Sequence, residues 1–182
     1  MKLIATEIPA VIVIEPQVWS DRRGFFMEVW NRRHFVEAGL DVDFVQDNYS
    51  HSVRGTLRGL HYQVGSPQGK LVRATAGEIF DVVVDLRRSS PSFGHWVGRH
   101  ISAQNRMMLW VPPGFAHGFY VLSEFAECLY KCTDYYAPEL ERILVWNDRR
   151  IGVKWPLVDG KTPLLSERDA RGMRLSEAEL FE

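Results

Sequence analysis

The sequence has few of the features typical of secreted, membrane or nucleic-acid-binding proteins. It has only 2 cysteines among 182 residues, which excludes a disulfide-rich scaffold. No apolar run approaches the roughly 20 residues that a helix needs to span a bilayer. Neither sign of charge is in excess, because 22 Lys and Arg face 23 Asp and Glu, which argues against a nucleic-acid coat or a polybasic anchor. Without repeats, low-complexity tracts or linkers, residues 1–182 are expected to form one globular domain.

The N-terminus and the cysteines predict the cellular compartment. Residues 1–13 contain a single lysine, and Glu7 and Pro9 interrupt their apolar stretch, which is unlike a signal peptide. We therefore expect a cytoplasmic location. Cys128 and Cys132 lie four residues apart in a strand-like segment, a separation of about 13 Å, whereas a disulfide needs Cα atoms within about 7 Å. Both cysteines are expected to be reduced, buried and inert.

Short extended segments dominate the chain. They are rich in β-branched and aromatic residues and are bounded by Gly, Pro, Asn, Asp or Ser, a pattern that favours an all-β sandwich or barrel. Helices are expected only as short pieces at 31–38, after Ser166, and at a last turn where Ser176 and Glu179 resemble a capping box. The predicted strands are residues 10–15, 25–30, 44–50, 57–63, 70–76, 78–86, 96–102, 107–111, 118–121, 126–133 and 143–146.

Two strands carry patterns that bear on the interior of the barrel. Asp81 and Asp85 share one strand face, which is therefore either wet or contains carboxylates paired inside the barrel. Arg58 and His61 have opposite parity on their strand, so a regular strand would point them to opposite sides. A bulge at Gly59 could bring them to the same side, since strand glycines often mark bulges.

The segment from Arg58 to Arg73 brings together three side chains that one reaction could use. It contains Arg58, His61 and Lys70 on two adjacent strand-like pieces. A histidine moves protons near neutral pH, an arginine matches phosphate geometry, and a lysine can stabilise an oxyanion. Together they are suited to an anionic substrate that loses a proton.

Each candidate also has an ordinary structural explanation. His61 could be a strand histidine bonded to a backbone carbonyl, Lys70 a solvated edge charge, and Tyr130 a core aromatic. A metal site is disfavoured, because position 63 is Gln, residues 64–76 contain no Glu, and His117 alone could add a second imidazole ligand.

Seven motifs occur in order along nearly the whole chain. They are DRRGFF at 21–26, QDN at 46–48, LRGLHYQ at 57–63, QGKLVR at 68–73, GEIFDV at 77–82, PGFAHGF at 113–119 and LYKCTDYY at 129–136. In this combination the chain resembles the dTDP-4-dehydrorhamnose 3,5-epimerase family. The resemblance implies a cupin-type jelly-roll β-barrel with short peripheral helices, a homodimer, and an epimerase that uses neither a metal nor another cofactor.

The resemblance also implies a role for each matching residue. His61 would remove protons from C5 and then C3 of a dTDP-linked 4-keto sugar, with Asp169 as its partner. Tyr130 would return a proton on the opposite face, and Lys70 would stabilise the enolate. Arg168 replaces a lysine that is frequent in the family and keeps its charge. The implied substrate-binding residues are Arg23, Glu28, Gln46, Asp47, Asn48, Arg58, Lys70, His117, Glu141, Arg168 and Tyr136, the last stacking on thymine.

Three other classes of function remain open from the residues alone. The same pocket could epimerise a single carbon or isomerise the keto group. A barrel of this kind could also bind a nucleotide sugar without catalysis, or act as a metal-dependent cupin oxygenase. Retention of both His61 and Tyr130 favours epimerisation.

Overall fold

A computed structural model describes all 182 residues, and strands dominate it as predicted. There are thirteen strands and two short α-helices, and none of the helices has the length and apolarity to cross a membrane. The elements are β1 (Lys2–Ala5), β2 (Ile12–Glu15), β3 (Val18–Asp21), β4 (Gly24–Met27), α1 (Arg32–Glu37), β5 (Gln46–Val53), β6 (Leu57–Gln63), β7 (Lys70–Ala76), β8 (Glu78–Asp85), β9 (Trp96–Ser102), β10 (Met108–Val111), β11 (Phe115–Val121), β12 (Phe125–Cys132), β13 (Glu141–Ile143) and α2 (Glu167–Ala170).

Two antiparallel sheets face each other and form the barrel. One has six strands in the order β1-β2-β10-β7-β12-β5, and the other has five in the order β13-β6-β11-β8-β9. Strands β3 and β4 form a separate hairpin. The predicted all-β jelly roll with short peripheral helices is therefore confirmed.

Apolar side chains fill the space between the sheets at one end and leave the other end for polar groups. Val72 of the six-stranded sheet packs in one cluster with Val83 and Phe119 of the five-stranded sheet. The outer face of the five-stranded sheet is covered as well, by a C-terminal cluster that includes Leu144 and Leu175. Because both faces of β8 are covered, seven of its eight residues are buried.

The short helices expected at 31–38 and after Ser166 are present, and each begins at a side-chain cap. The Asn31 side chain accepts hydrogen bonds from the backbone N–H groups of Arg33 and His34, which satisfies donors at the start of α1. The chain leaves α1 at Gly39, whose φ of +94° suits a residue without Cβ. The Ser166 side chain accepts from the Asp169 N–H and starts α2.

Three parts of the secondary-structure prediction were wrong. The short strands β1 and β3 were not predicted, and β13 ends at Ile143 instead of starting there. At Ser176 the structure has a turn rather than a helix. The Glu177 N–H donates to the Arg174 carbonyl at 3.0 Å and closes the turn, and the Leu175 N–H donates to Asp148 at 2.8 Å, which ties the segment to the 148–151 loop.

Gly59 forms the predicted bulge. His61 pairs with His117 and Arg58 pairs with Phe119, so two residues of β6 lie opposite Gly118 alone. Gly59 has φ +127°, and a Cβ there would lie 2.6 Å from the Gly118 Cα. The extra residue turns Arg58 and His61 toward the same cavity.

Replacing Gly59 with alanine is expected to destabilise the protein, because the added methyl group meets backbone atoms that cannot move independently. We expect a loss of about 1–3 kcal/mol in the free energy of unfolding from the overlap. Urea denaturation measures it. Gly24→Ala is the matched control, since Gly24 has φ +123° but nothing within 4 Å of an added Cβ. Equal losses in the two variants would contradict a contribution from the close approach.

Candidate active site

A polar cavity of about 290 Å³ lies between the two sheets. Its walls come from β5, β7 and β12 on one side and from β6, β11 and β13 on the other. Hydrophobic side chains are a small minority of the lining. The lining residues are Gln46, Asn48, Ser50, Arg58, His61, Gln68, Lys70, His117, Phe119, Tyr130, Tyr136 and Glu141.

His61 is oriented by a buried carboxylate. Its Nε2 lies 2.5 Å from Oδ1 of Asp169, and the Ser166 hydroxyl donates to Oδ2 at 2.9 Å. Burial acts to raise the pKa of Asp169, but the hydrogen bonds from His61 and Ser166 outweigh it and leave that pKa lowered. The ionised carboxylate accepts the Nε2–H, so Nδ1 of the neutral imidazole keeps its lone pair and can accept a proton.

Lys70 is a buried cation without an anionic partner inside the protein. It is 9% exposed, points into the cavity and forms none of the salt bridges of the molecule. Burial lowers the pKa of Lys70, while the nearby carboxylates of Glu141 and Asp81 act in the opposite direction. An unpaired ammonium in a site of low dielectric is suited to receive negative charge from a bound molecule.

Tyr130 lies on β12, in the sheet opposite to that of His61. Burial raises the pKa of its phenol to about 12, so the group stays protonated at neutral pH and can donate a proton. The cavity therefore has a proton acceptor on one wall and a proton donor on the other.

Further polar groups extend the cavity toward its mouth. The Arg58 Nε donates to Ser52 at 2.9 Å, and the amide of Gln46 donates to that of Asn48 at 3.0 Å. At the rim, the Tyr136 hydroxyl lies 3.1 Å from the Glu141 carboxylate. Arg168 also contacts that carboxylate.

Five of the predicted site residues do not line the cavity. Asp169 and Arg168 contact lining residues, whereas the other three form their side-chain contacts elsewhere. Asp47 points to the outer face of β5, because neighbouring strand residues alternate, and it pairs with Lys131 at 3.0 Å. Glu28 pairs with His34 of α1 at 2.6 Å. Arg23 lies in the β3–β4 hairpin, where Asp21 accepts from it at 2.6 Å.

Four residues at the site were absent from the predicted set. Ser50 has the parity of Gln46 and Asn48 on β5, and Phe119 has that of His117 on β11, so strand alternation could have identified both. Gln68 precedes β7 in a loop that carries no such periodic signal. Asp81 lies behind the lining and accepts from His117.

The cysteines are buried and free, as expected, and no group of three or more His, Cys, Asp or Glu side chains is placed to hold a metal ion. The Nε2 atoms of His61 and His117 contact carboxylates, at 2.5 and 2.8 Å. The interior carboxylate pairing considered for Asp81 and Asp85 is present, because Asp81 contacts His117 and Asp85 contacts Arg87 at 2.7 Å.

Comparison with known proteins gives a consistent result. The sequence profile of a family described as dTDP-4-dehydrorhamnose 3,5-epimerase matches residues 5–177. The Pseudomonas aeruginosa protein of that name is 59% identical over 182 residues, covering 100% of this chain and 99% of its own. The structure of an epimerase from Legionella pneumophila in complex with dTDP-4-keto-L-rhamnose has a TM-score of 0.94 at 47% identity, covering 98% of this chain and 94% of its own.

A relative with a narrower activity also shares the fold. The structure of ChmJ, a 3'-monoepimerase from Streptomyces bikiniensis in complex with dTDP-quinovose, has a TM-score of 0.86 at 34% identity. It covers 94% of this chain and 87% of its own. This monoepimerase thus has the same fold, but its sequence identity to the chain is lower than that of the two 3,5-epimerases above.

Proposed function

The chain belongs to the dTDP-4-dehydrorhamnose 3,5-epimerase family, and on that premise we propose how its residues carry out the reaction. The enzyme is an isomerase that converts dTDP-4-dehydro-6-deoxy-D-glucose to dTDP-4-dehydro-L-rhamnose by inverting C3 and C5. The observation that carries the assignment of roles is the location of His61 and Tyr130 on opposite walls of one cavity, with the unpaired Lys70 ammonium in the same cavity.

The proposed chemistry follows from the acidity of protons next to a ketone. Nδ1 of His61 removes the proton from C5 and later from C3, and the electron pair moves onto the C4 oxygen. The Lys70 ammonium stabilises this enolate, since preformed charges in a site of low dielectric stabilise developing negative charge strongly. Tyr130 then returns a proton to the opposite face of the ring, which inverts the carbon. No electrons are gained or lost, so the sequence of steps balances without a redox cofactor.

We propose that the remaining polar lining holds the nucleotide part. Arg58 would contact the diphosphate, because a guanidinium donates to phosphate oxygens. His117, the strand partner of His61, would lie against the sugar. The amides of Gln46 and Asn48 would bond the deoxyribose region. Tyr136, which is 43% exposed at the mouth, would stack on the thymine ring, with Glu141 and Arg168 beside it.

We propose a homodimer because the β3–β4 hairpin leaves much apolar surface uncovered. Trp19, Phe25 and Phe26 are 54%, 53% and 70% exposed, which is a large exposed apolar patch for a monomer. If Arg23 and Glu28 bind substrate, they must do so in a second copy or after the hairpin moves. We also propose a single domain over residues 1–182 and a cytoplasmic location, which the two free cysteines support.

Proton NMR in deuterated water tests the proposed roles. The wild-type enzyme should introduce deuterium at both C3 and C5. In Tyr130→Phe, His61 can still remove and return the C5 proton on one face of the sugar ring. No group then delivers a proton to the opposite face. We therefore expect exchange at C5 to persist while inverted product falls about 10²–10⁴-fold.

Two results would contradict this assignment. Deuterium at only one carbon in the wild-type product would favour a single-site epimerase. Undiminished turnover in Tyr130→Phe would show that another group supplies the proton. Tyr130→Phe removes only the hydroxyl group and keeps the ring, so a loss of turnover would not come from altered packing.

A further inference from the structure

A second carboxylate–imidazole pair lies directly beside the first. Nε2 of His117 is 2.8 Å from Oδ1 of Asp81, and the two residues are 6% and 0% exposed. His117 is the strand partner of His61, so the two Cβ atoms are about 4.5–5.5 Å apart and both rings face the cavity. Each ring contacts its own carboxylate through Nε2, which leaves both Nδ1 atoms without a partner in the protein.

Inverting two carbons in succession requires that the protonation states of His61 and Tyr130 be restored between the two steps. After the first inversion His61 carries an extra proton and Tyr130 has lost one. The second inversion needs His61 neutral and Tyr130 protonated again. The two side chains act on opposite faces of the sugar, so the bound ring separates them. A proton must therefore travel around the substrate before the second inversion starts.

We propose that the His117–Asp81 pair is the proton relay that resets His61 and Tyr130 between the two inversions. This inference rests on the proposed function. The His61 imidazolium passes its Nδ1 proton to Nδ1 of His117, directly or through one water molecule. The His117 imidazolium then gives a proton, through water in the cavity, to the Tyr130 phenolate. One proton leaves His61 and one reaches Tyr130, so every group returns to its starting state.

Asp81 has the burial and the charge that this role requires. Its Oδ2 is fully buried without a hydrogen-bond partner, so His117 is the one side chain that donates to this carboxylate. A transient charge on His117 shares the cavity with the cations Lys70 and Arg58, and it would be disfavoured without a compensating anion. Asp81 and Glu141 supply that negative charge. A carboxylate with an unsatisfied oxygen lowers stability, so a purely structural role does not explain it.

The test uses the full-length enzyme with Asp81→Asn, which keeps the shape of the side chain and removes its charge. Product formed at saturating substrate in deuterated water is followed by NMR, carbon by carbon. We expect the second inversion to slow at least about tenfold relative to the first, within the range of proton-transfer effects, so that singly inverted sugar accumulates. Glu78→Gln is the matched control, because Glu78 pairs with His100 at 2.7 Å on the outer surface, and its product ratio should equal that of the wild type.

His117→Gln provides a second variant in case Asp81→Asn does not fold, and the same accumulation is expected. Equal slowing of both inversions, or an unchanged ratio, would overturn the relay and assign the pair to binding or folding. The wild-type measurement distinguishes failure of the proposed function, since deuterium at only one carbon there would remove the need for any relay.

Discussion

Alanine in place of His61 is expected to lower kcat by about 10²–10⁴-fold, the range that a positioned general base contributes. The Nδ1 lone pair is the proton acceptor proposed for both carbons, and the neighbouring His117 already contacts Asp81 through its own ring. KM should change little, because the proposed nucleotide contacts lie elsewhere in the cavity. Steady-state kinetics of the purified variant measure both parameters. His100→Ala, which removes an exposed surface histidine, should retain full activity.

Asp169→Asn tests the contribution of the carboxylate beside His61 while the imidazole itself is retained. The amide keeps the size of the side chain, but it has lost the charge that stabilises the imidazolium formed during proton removal. We expect kcat to fall while folding and KM are retained. If His61→Ala kept wild-type turnover, the base would have to be another group. Wild-type turnover in Asp169→Asn alone would show that the 2.5 Å contact does not contribute to catalysis.

Local features of the sequence predicted part of the site. The segment from Arg58 to Lys70 was identified by its side-chain chemistry, and the glycine between Arg58 and His61 predicted the bulge that the structure contains. Gln46 and Asn48 lie on one wall of the cavity because alternate residues of a strand point to the same face. These are local properties, so a window of a few residues contains the necessary information.

The other parts of the site depend on contacts between distant segments. Asp169 lies 108 residues from His61 in sequence, and only the docking of α2 against β6 brings them together. No periodicity predicts that contact, which the sequence indicated only through family resemblance. Asp81 illustrates the same limit, because its strand pattern allowed either a wet face or a paired carboxylate. The pairing with His117 required the register between β8 and β11.

Methionine in place of Lys70 is expected to have opposite effects on activity and stability. The substitution removes the cation proposed to stabilise the enolate, and we expect kcat to fall about 10²–10³-fold, the loss typical of removing one such donor. Burying an unpaired ammonium is costly, whereas methionine has a similar length and no charge. The free energy of unfolding should therefore rise by about 1 kcal/mol or more at neutral pH. Kinetics and thermal denaturation measure the two effects.

The pH dependence provides an independent check on the same residue. Burial lowers the pKa of Lys70, so wild-type kcat/KM should decrease on the alkaline side before the ordinary range of a lysine, as the ammonium loses its proton. Tyr130, with a pKa of about 12, stays protonated there and does not set this limb. Because the folded state has the lower pKa, wild-type stability rises with pH between the folded and unfolded values of Lys70. The stability advantage of Lys70→Met should therefore be largest at neutral pH and shrink as the pH increases.

Lys154→Met is the matched control, since Lys154 is exposed and its ammonium forms no salt bridge. We expect neither its activity nor its stability to change measurably. A Lys70→Met variant that lost stability together with activity would show that the ammonium supports the fold, and a variant that kept wild-type kcat would exclude it from the enolate step. The combination of a more stable protein and a slower enzyme would indicate that the fold tolerates an unfavourable buried charge at Lys70 because the transition state requires it.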